Sequence, residues 1–339
     1  MMNRVQLGSS DLQVSPICIG CWQFNGGKAD ETWPAQQEQV SKSIVDKAIE
    51  LGVNFFDTAE AYGNHGSEVV LSRCLAGRRK DVIIGSKYGL HKGAQAIQYS
   101  ATDIEKALTD SLQALQTDYI DLYQVHWSVN MKDVTETITE LKRQQSLGRI
   151  RQYGFCNFGE QDIKDFYDAG GVSCSNQLPY NLLWRPIEFK ILPACQERNI
   201  SVLAYSPLQQ GLLSGRFHQA ADVPEGRRRT RHFSKDSTTM SRHGQVGAET
   251  ETFKTISAIR ELCNKADIPM SSAALSWVLS QQGVASVIVG CRTPEQLQEN
   301  CKLIQLSQDI QKQLSECSEE LKNMFGPNPD MWAETSRVH

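Results

Sequence analysis

Short apolar runs alternate with amphipathic stretches along most of the chain. The apolar runs fall at 17–20, 53–57, 82–86, 119–126, 150–156, 173–177, 202–205 and 287–290, and each reads as a buried strand. Ahead of them, apolar pairs flanking Gly8-Ser9-Ser10-Asp11 read as a hairpin over 5–7 and 12–14. Between the strands lie patterns of helical period. One spans 40–51, with Ile44, Ala48 and Leu51 on one face. Another spans 102–115 and opens on a Thr102…Glu105 capping box. Further helices are expected over 134–147, ending at Gly148, over 252–266, ending before Pro269, and over 296–303, after Pro294.

Strand–helix alternation implies a parallel sheet, because parallel strands need crossover connections. Eight such units fit a closed (β/α)8 TIM-type barrel better than an open sheet. The first strand also lacks the G-x-G-x-x-G turn of an open dinucleotide-binding sheet, since Ile19-Gly20-Cys21-Trp22 does not approximate it. No linker divides the chain, so residues 1–339 are read as a single barrel domain with an N-terminal hairpin. Two segments break the rhythm. Residues 206–251, after the seventh strand, form a long Gly-, Ser- and Arg-rich loop, and residues 324–339 are an irregular tail with two prolines. A loop of that length inside a compact domain is a functional candidate, here for cofactor or substrate.

Composition narrows the picture. The 339 residues are 40% hydrophobic and 22% charged, which excludes a disordered or low-complexity chain. A formal net charge of -4 argues against nucleic acid or an anionic membrane as partner. No apolar run approaches the roughly 18–20 residues needed to span a bilayer, and neither terminus carries a signal-peptide or lipidation pattern. Ten cysteines in a chain this long read as reduced thiols, and a cytoplasmic location is expected. Cys18 and Cys21 form a C-x-x-C with no second pair to complete a zinc site, so no metal is expected.

Chemistry in such a barrel sits at the carboxyl ends of the strands. Asp57 ends the second strand, Lys87 follows the third and His126 ends the fourth, with Tyr62 one short turn past Asp57. Taken singly, an Asp there is a turn former, a Lys a rim charge and a His structural. Together they make a set that transfers a proton to a carbonyl oxygen. A phenol near pKa ~10 is a poor acid, a neighbouring ammonium lowers that value, and Asp57 keeps a buried Lys87 charged. With no metal motif to polarise the oxygen, the hydride must come from a cofactor.

These residues carry a resemblance. Phe56-Asp57-Thr58-Ala59-Glu60-Ala61-Tyr62-Gly63, Ser86-Lys87 and Val125-His126 resemble the tetrad motifs of the aldo-keto reductase superfamily. Gly154-Phe155-Cys156-Asn157-Phe158, Asn176-Gln177, Tyr205-Ser206-Pro207-Leu208, Gly211-Leu212-Leu213-Ser214-Gly215-Arg216 and Val289-Gly290-Cys291-Arg292 extend it over nearly the whole chain. The long loop after strand 7 is similar to that of the general-aldehyde branches. The resemblance implies an NADP(H)-dependent reduction of aldehydes or ketones, with Tyr62 as general acid tuned by Lys87 and Asp57, and His126 orienting the substrate. It further implies that Trp22, Asp57, Asn157 and Gln177 meet the nicotinamide end and that Tyr205 stacks on the ring. Ser206, Leu208, Gly211, Leu213 and Arg216 would line the pyrophosphate, and Gly290, Arg292, Gln296, Glu299 and Asn300 the adenosine end. A guanidinium at Arg292 suits a 2′-phosphate, and so NADP(H) over NAD(H). Trp22, Tyr88 and Trp127 would line the substrate pocket. One departure is Cys156, where the family has Ser before the Asn.

Other readings stay open. Lys87 could form a Schiff base in a lyase. The chain could be a nicotinamide-sensing binding subunit, as in the potassium-channel β-subunits of this fold. The basic run Arg227-Arg228-Arg229-Thr230-Arg231 reads either as a solvated loop or as a lid over phosphates or substrate. The expected partner is a small carbonyl compound, with the protein a monomer or weak homo-oligomer.

Overall fold

Runs of Ile, Val and Phe bounded by polar ends make eight strands, all parallel. They are β1 (Ile17–Gly20), β2 (Phe55–Asp57), β3 (Ile83–Tyr88), β4 (Ile120–Val125), β5 (Ile150–Cys156), β6 (Ser175–Pro179), β7 (Ser201–Tyr205) and β8 (Val284–Val289). The computed structural model describes residues 2–25, 36–89, 91, 92 and 95–339. The strands pair in chain order and β8 closes on β1, giving a closed (β/α)8 barrel. Closure leaves no open sheet edge.

The register aligns the strand ends that matter. Gly20 sits opposite Asp57 and Asp57 opposite Gly85; Lys87 sits opposite Gln124, and Gln177 opposite Cys156. One end of the barrel is apolar, filled by Cys18, Phe55, Leu122, Leu203 and Ile288. The hairpin, Val5–Gln6 against Gln13–Val14, caps that end with Leu7, Leu12 and Val14. Gly8 makes the close approach possible. Its φ is +53, and a Cβ there would lie 2.2 Å from the carbonyl oxygen of Cys174. The polar layer is left for the opposite end.

Helices wrap the barrel: α1 (Glu38–Glu50), α2 (Gly66–Leu75), α3 (Ala101–Leu115), α4 (Val134–Ser146), α5 (Glu160–Asp168), α6 (Ile191–Glu197), α7 (Glu249–Lys265), α8 (Met270–Ser280), α9 (Pro294–Asn300), α10 (Gln308–Cys317) and α11 (Glu319–Phe325). The capping box of α3 is two residues earlier than expected. Ser100 is the N-cap and Asp103 the reciprocating acid, not Thr102 and Glu105. Both pairs match the spacing. The backbone decides, because Tyr99 is held back by its N–H donating to Asn130 O at 2.8 Å, so the chain turns at Ser100. The expected helix over 296–303 starts earlier, on Pro294, and ends at Asn300.

The stretch 206–251 contains short helical turns and the first residues of α7. Beyond α11, the tail is irregular but packed. Met331 and Val338 are buried, Arg231 donates its backbone N–H to Met331 O, and at the start of α5 Asp162 donates its backbone N–H to His339 O while its Oδ2 accepts from His339 N. Gly159 lets the tail dock, since a Cβ there would lie 2.1 Å from His339 O. All ten cysteines are free thiols, and burial pushes those of Cys18 and Cys21 well up. Among the described residues no helix is long and apolar enough to cross a membrane.

Candidate active site

The polar layer at the carboxyl ends of the strands centres on Lys87. Its side chain is fully buried. β3 runs on past Ser86 to Tyr88, so Lys87 lies inside the strand and points across the barrel mouth. Its three N–H donors find three oxygens: Asp57 Oδ2 at 2.7 Å, Thr58 O at 2.8 Å and Tyr62 Oη at 3.3 Å. Burial alone would lower its pKa, but the Asp57 carboxylate more than offsets that and raises it. Lys87 is therefore a permanent ammonium. The other oxygen of Asp57, Oδ1, accepts from Gln177 Nε2 at 2.7 Å.

Tyr62 comes from the loop after β2, which is built tightly. Thr58 N donates to Gly85 O and Glu60 N to Lys87 O, continuing the β2–β3 pairing beyond the strand. Thr58 Oγ1 meets Ser67 Oγ at 2.8 Å, and Ser67 Oγ donates to Cys21 O. The turn into α2 passes through Asn64 and His65, both left-handed. Glu68 is fully buried there and accepts from Ser86 Oγ and pairs with His65 Nδ1, each at 2.6 Å. This anchoring fixes the phenol over Lys87, whose Nζ lies 4.9 Å from the ring centroid.

The ammonium does pull the Tyr62 pKa down, as expected, but burial raises it more, and the phenol is pushed up to about 12. Tyr62 is a neutral proton donor held beside a cation. Its ring stacks on Trp22 (centroids 5.7 Å, planes 12° apart) and meets the edge of His126 at 6.1 Å. His126 is set by its backbone N–H donating to Tyr88 O at 2.9 Å.

On the far side of the mouth, Asn157 takes a left-handed backbone (φ 55) just after β5. Its Nδ2 donates to His126 O at 3.2 Å and its Oδ1 accepts from Tyr205 Oη at 3.0 Å. Asp57, Lys87, Tyr62, His126, Asn157, Gln177 and Tyr205 thus form one connected rim. Cys156 sits beneath it, a thiol pushed up by burial, 3.8 Å from Gln124 Oε1.

The loop after β7 enters through Ser206 at φ 52 and passes Gln209, Gln210 and Gly211 with positive φ. Leu208 O gathers the N–H groups of Gly211 and Leu213, and the Leu213 side chain lies in the apolar core. Arg216 and Arg292 each act on Arg227 through their charge. Burial first, then the charges of Arg216 and Arg292, lower the pKa of Arg227. Arg292 stands before α9, where its N–H donates to Gln296 Oε1 at 2.9 Å. Gly290 and Glu299 are exposed and Asn300 is buried on the same end of the barrel. Among the described residues no group of His, Cys, Asp and Glu could hold a metal ion.

One expected pocket residue lies elsewhere. Tyr88 follows Lys87 in the same strand, so the two-residue period sends it to the opposite face. There it is fully buried against Tyr99 and Tyr123, outside the mouth. Trp127 is buried under the tail, with the Arg337 guanidinium 4.0 Å over its ring.

The basic run divides. Arg227 joins the cationic cluster and Arg229 lies against Trp22 and Trp332. Arg231 is buried and turned into the tail, where it donates to Gln245 Oε1 and to the carbonyls of Phe325, Asn328 and Asp330. Sequence reasoning did not single out Glu68, Thr58, Trp332 or Arg337. The basic run itself was the only signal for Arg227 and Arg229.

Comparison with known proteins agrees with this architecture. The chain is 28% identical to the NADH-specific methylglyoxal reductase of Escherichia coli (strain K12), covering 90% of this chain and 94% of that one. It is 26% identical to a probable voltage-gated potassium channel subunit beta of Arabidopsis thaliana, covering 89% and 91%. The holo form of the Bacillus halodurans aldo-keto reductase AKR11C1 superposes with a TM-score of 0.75 at 28% identity, over 94% of this chain and 97% of that one. The family model for aldo/keto reductases matches residues 16–319, from the entry to β1 through the start of α11, and the chain belongs to that family.

Proposed function

We propose that this protein reduces aldehyde or ketone carbonyls to alcohols with NADP(H), using Tyr62 as the proton donor. The observation that carries the reading is the Lys87 ammonium held between Asp57 and the Tyr62 hydroxyl. A neutral phenol at a pKa of about 12 stays protonated until the carbonyl oxygen takes on negative charge. As the proton leaves, Lys87 stabilises the phenolate and Asp57 keeps Lys87 charged. His126, edge-on to Tyr62, orients the carbonyl oxygen. A permanent ammonium is a poor nucleophile, which argues against Lys87 as a Schiff-base former.

The residues at the mouth fit a nicotinamide dinucleotide. Asn157, Gln177 and Tyr205 offer amide and phenol groups beside the tetrad. Arg216 and Arg292 add positive charge near Arg227, which suits an anion. Phosphates of the dinucleotide, including a 2′-phosphate at Arg292, suit that cluster. The bound cofactor would supply the hydride that the side chains cannot. A cytoplasmic setting agrees with ten free thiols.

Absorbance of reduced nicotinamide tests this directly, with NADPH and then NADH, against a panel of aldehydes and ketones. Wild type is expected to consume NADPH faster than NADH, and Tyr62→Phe to lose that activity. Faster use of NADH, the cofactor named for the Escherichia coli relative, would overturn the Arg292 assignment. The Arabidopsis relative supports a second reading, a nicotinamide-binding subunit. Tight NADPH binding with no turnover of any carbonyl would select it.

A further inference from the structure

Glu68 is fully buried in the first turn of α2, where an apolar side chain would fill the space at less cost. Its two oxygens have different partners. Oε1 accepts from Ser86 Oγ and Oε2 pairs with His65 Nδ1, each at 2.6 Å. Ser86 precedes Lys87 in β3, and the two-residue period turns them to opposite faces, Lys87 into the mouth and Ser86 toward α2. The start of α2 in turn holds the backbone of Tyr62. Ser67 N donates to Tyr62 O at 3.0 Å, and Tyr62 N donates to Ala59 O at 3.1 Å. The contacts therefore close a ring from Lys87 through Ser86, Glu68, Ser67 and Tyr62, and back to Lys87 by the 3.3 Å bond from Nζ to Tyr62 Oη.

We propose that Glu68 is a positioning residue for the proton transfer: by tying α2 to the strand of Lys87, it sets the distance between Lys87 Nζ and the Tyr62 hydroxyl. The turn between Tyr62 and α2 needs such a tie. Gly63, Asn64 and His65 have φ of 66, 51 and 64, and a left-handed backbone at two non-glycine residues persists only where surrounding contacts hold it. His65 is held twice, by its N–H donating to Glu60 O at 2.8 Å and by its ring on Glu68. The contact under control is the longest of the three that Lys87 makes. Asp57 Oδ2 at 2.7 Å and Thr58 O at 2.8 Å hold the ammonium in place, so a shift at the entry to α2 lengthens the bond to Tyr62 first. Lys87, Asp57, Cys156 and His126 face the phenol directly. Glu68 acts on it through the ring of contacts, from behind the strand.

This inference rests on the reductase reading. The test compares wild type with Glu68→Ala, Glu68→Gln and Ser86→Ala in single-turnover reduction of a carbonyl by the preferred reduced nicotinamide. Rate constant, amplitude, cofactor affinity and solvent deuterium isotope effect are read together. Glu68→Ala is expected to lower the rate constant about tenfold or more and to leave cofactor affinity nearly unchanged, because a misplaced donor slows chemistry and not binding. Its solvent isotope effect should rise, since proton transfer from Tyr62 becomes the slow step. Glu68→Gln keeps an oxygen for Ser86 and should recover most of the rate. Ser86→Ala should show the same signature in weaker form, and it carries the test if Glu68→Ala does not fold. A merely structural role lowers the amplitude and leaves the rate constant and isotope effect of the remaining protein as in wild type. That outcome overturns the proposal and leaves the reductase reading standing. Wild type that reduces no carbonyl overturns both.

Discussion

Gln177 donates to Asp57 across the barrel, Nε2 to Oδ1 at 2.7 Å, from a residue 120 positions away. With Lys87 on Oδ2, both oxygens of the buried carboxylate are held. Gln177 thereby becomes a support for the ion pair as well as a candidate cofactor contact. Gln177→Glu would set a second carboxylate against Asp57 in a buried site. Thermal melts and steady-state kinetics should show a fall of several degrees in Tm and a loss of about tenfold or more in kcat/KM. Gln177→Leu should cost about 1–3 kcal/mol, because it leaves one acceptor unpaired without adding charge.

The Tyr62 phenol at about 12 makes a prediction about pH. Reduction needs the protonated form, so its rate should show no alkaline limb from Tyr62 between about pH 7 and 10. Alcohol oxidation needs the phenolate and should rise over the same range. Lys87→Met removes the charge that lowers this pKa and should abolish reduction by about 10²-fold or more. A reduction rate that collapses near pH 8 in wild type would contradict the assignment.

Removing charge from the cationic cluster should read out as cofactor choice. Arg292→Met is expected to raise the KM for NADPH about tenfold while leaving NADH nearly unaffected. Arg227→Met should weaken both cofactors, because Arg227 lies beside Gln210 and Gly211 at the proposed pyrophosphate stretch. Equal loss for both cofactors in Arg292→Met would move the 2′-phosphate elsewhere.

His232 predicts acid sensitivity. It is fully buried, placed against Gln209 and Thr230 on Nδ1 and Leu183 O on Nε2. Burial above all holds its pKa down to about 4. Below the unfolded value of about 6.5 the unfolded chain binds a proton that the native state refuses, so stability falls as pH drops from about 6.5 to 4. The contribution is about 3 kcal/mol, present in full above that window. Chemical denaturation across the range should show a shallower decline in His232→Gln.

Arg231 ties the tail to the barrel through carbonyls of 325, 328 and 330. Arg231→Met should cost about 2–4 kcal/mol by orphaning those buried acceptors. Limited proteolysis should then cut after Phe325 sooner than in wild type. Intact resistance would mean that the apolar anchors Met331 and Val338 suffice alone.

The barrel and the tetrad positions were legible because their signals are local. An apolar run followed by Asp57, Lys87 or His126 marks a strand and its polar end within a few residues. Tyr88 was misplaced by reading the strand as ending at Ser86. Extended to Tyr88, the two-residue period would have sent it outward. Ser100 and Thr102 each opened a valid capping pattern, and only the bond from Tyr99 to Asn130 chose between them.

The amino-acid sequence by itself determined the eightfold alternation, the closed parallel barrel and the residues gathered at its mouth. Periodicity and strand ends encode those features locally. Tertiary structure alone decided the fate of the basic run, the docking of the tail on Gly159 and the bond from Gln177 to Asp57. Arg227, Arg229 and Arg231 carry the same charge and no address. Their destinations depend on which distant surfaces the closed barrel brings near: the cationic cluster for Arg227, two indoles for Arg229 and a set of buried carbonyls for Arg231. The Tyr62 phenol stands high for the same reason, because the burial that raises it exists only once the barrel has closed around Lys87.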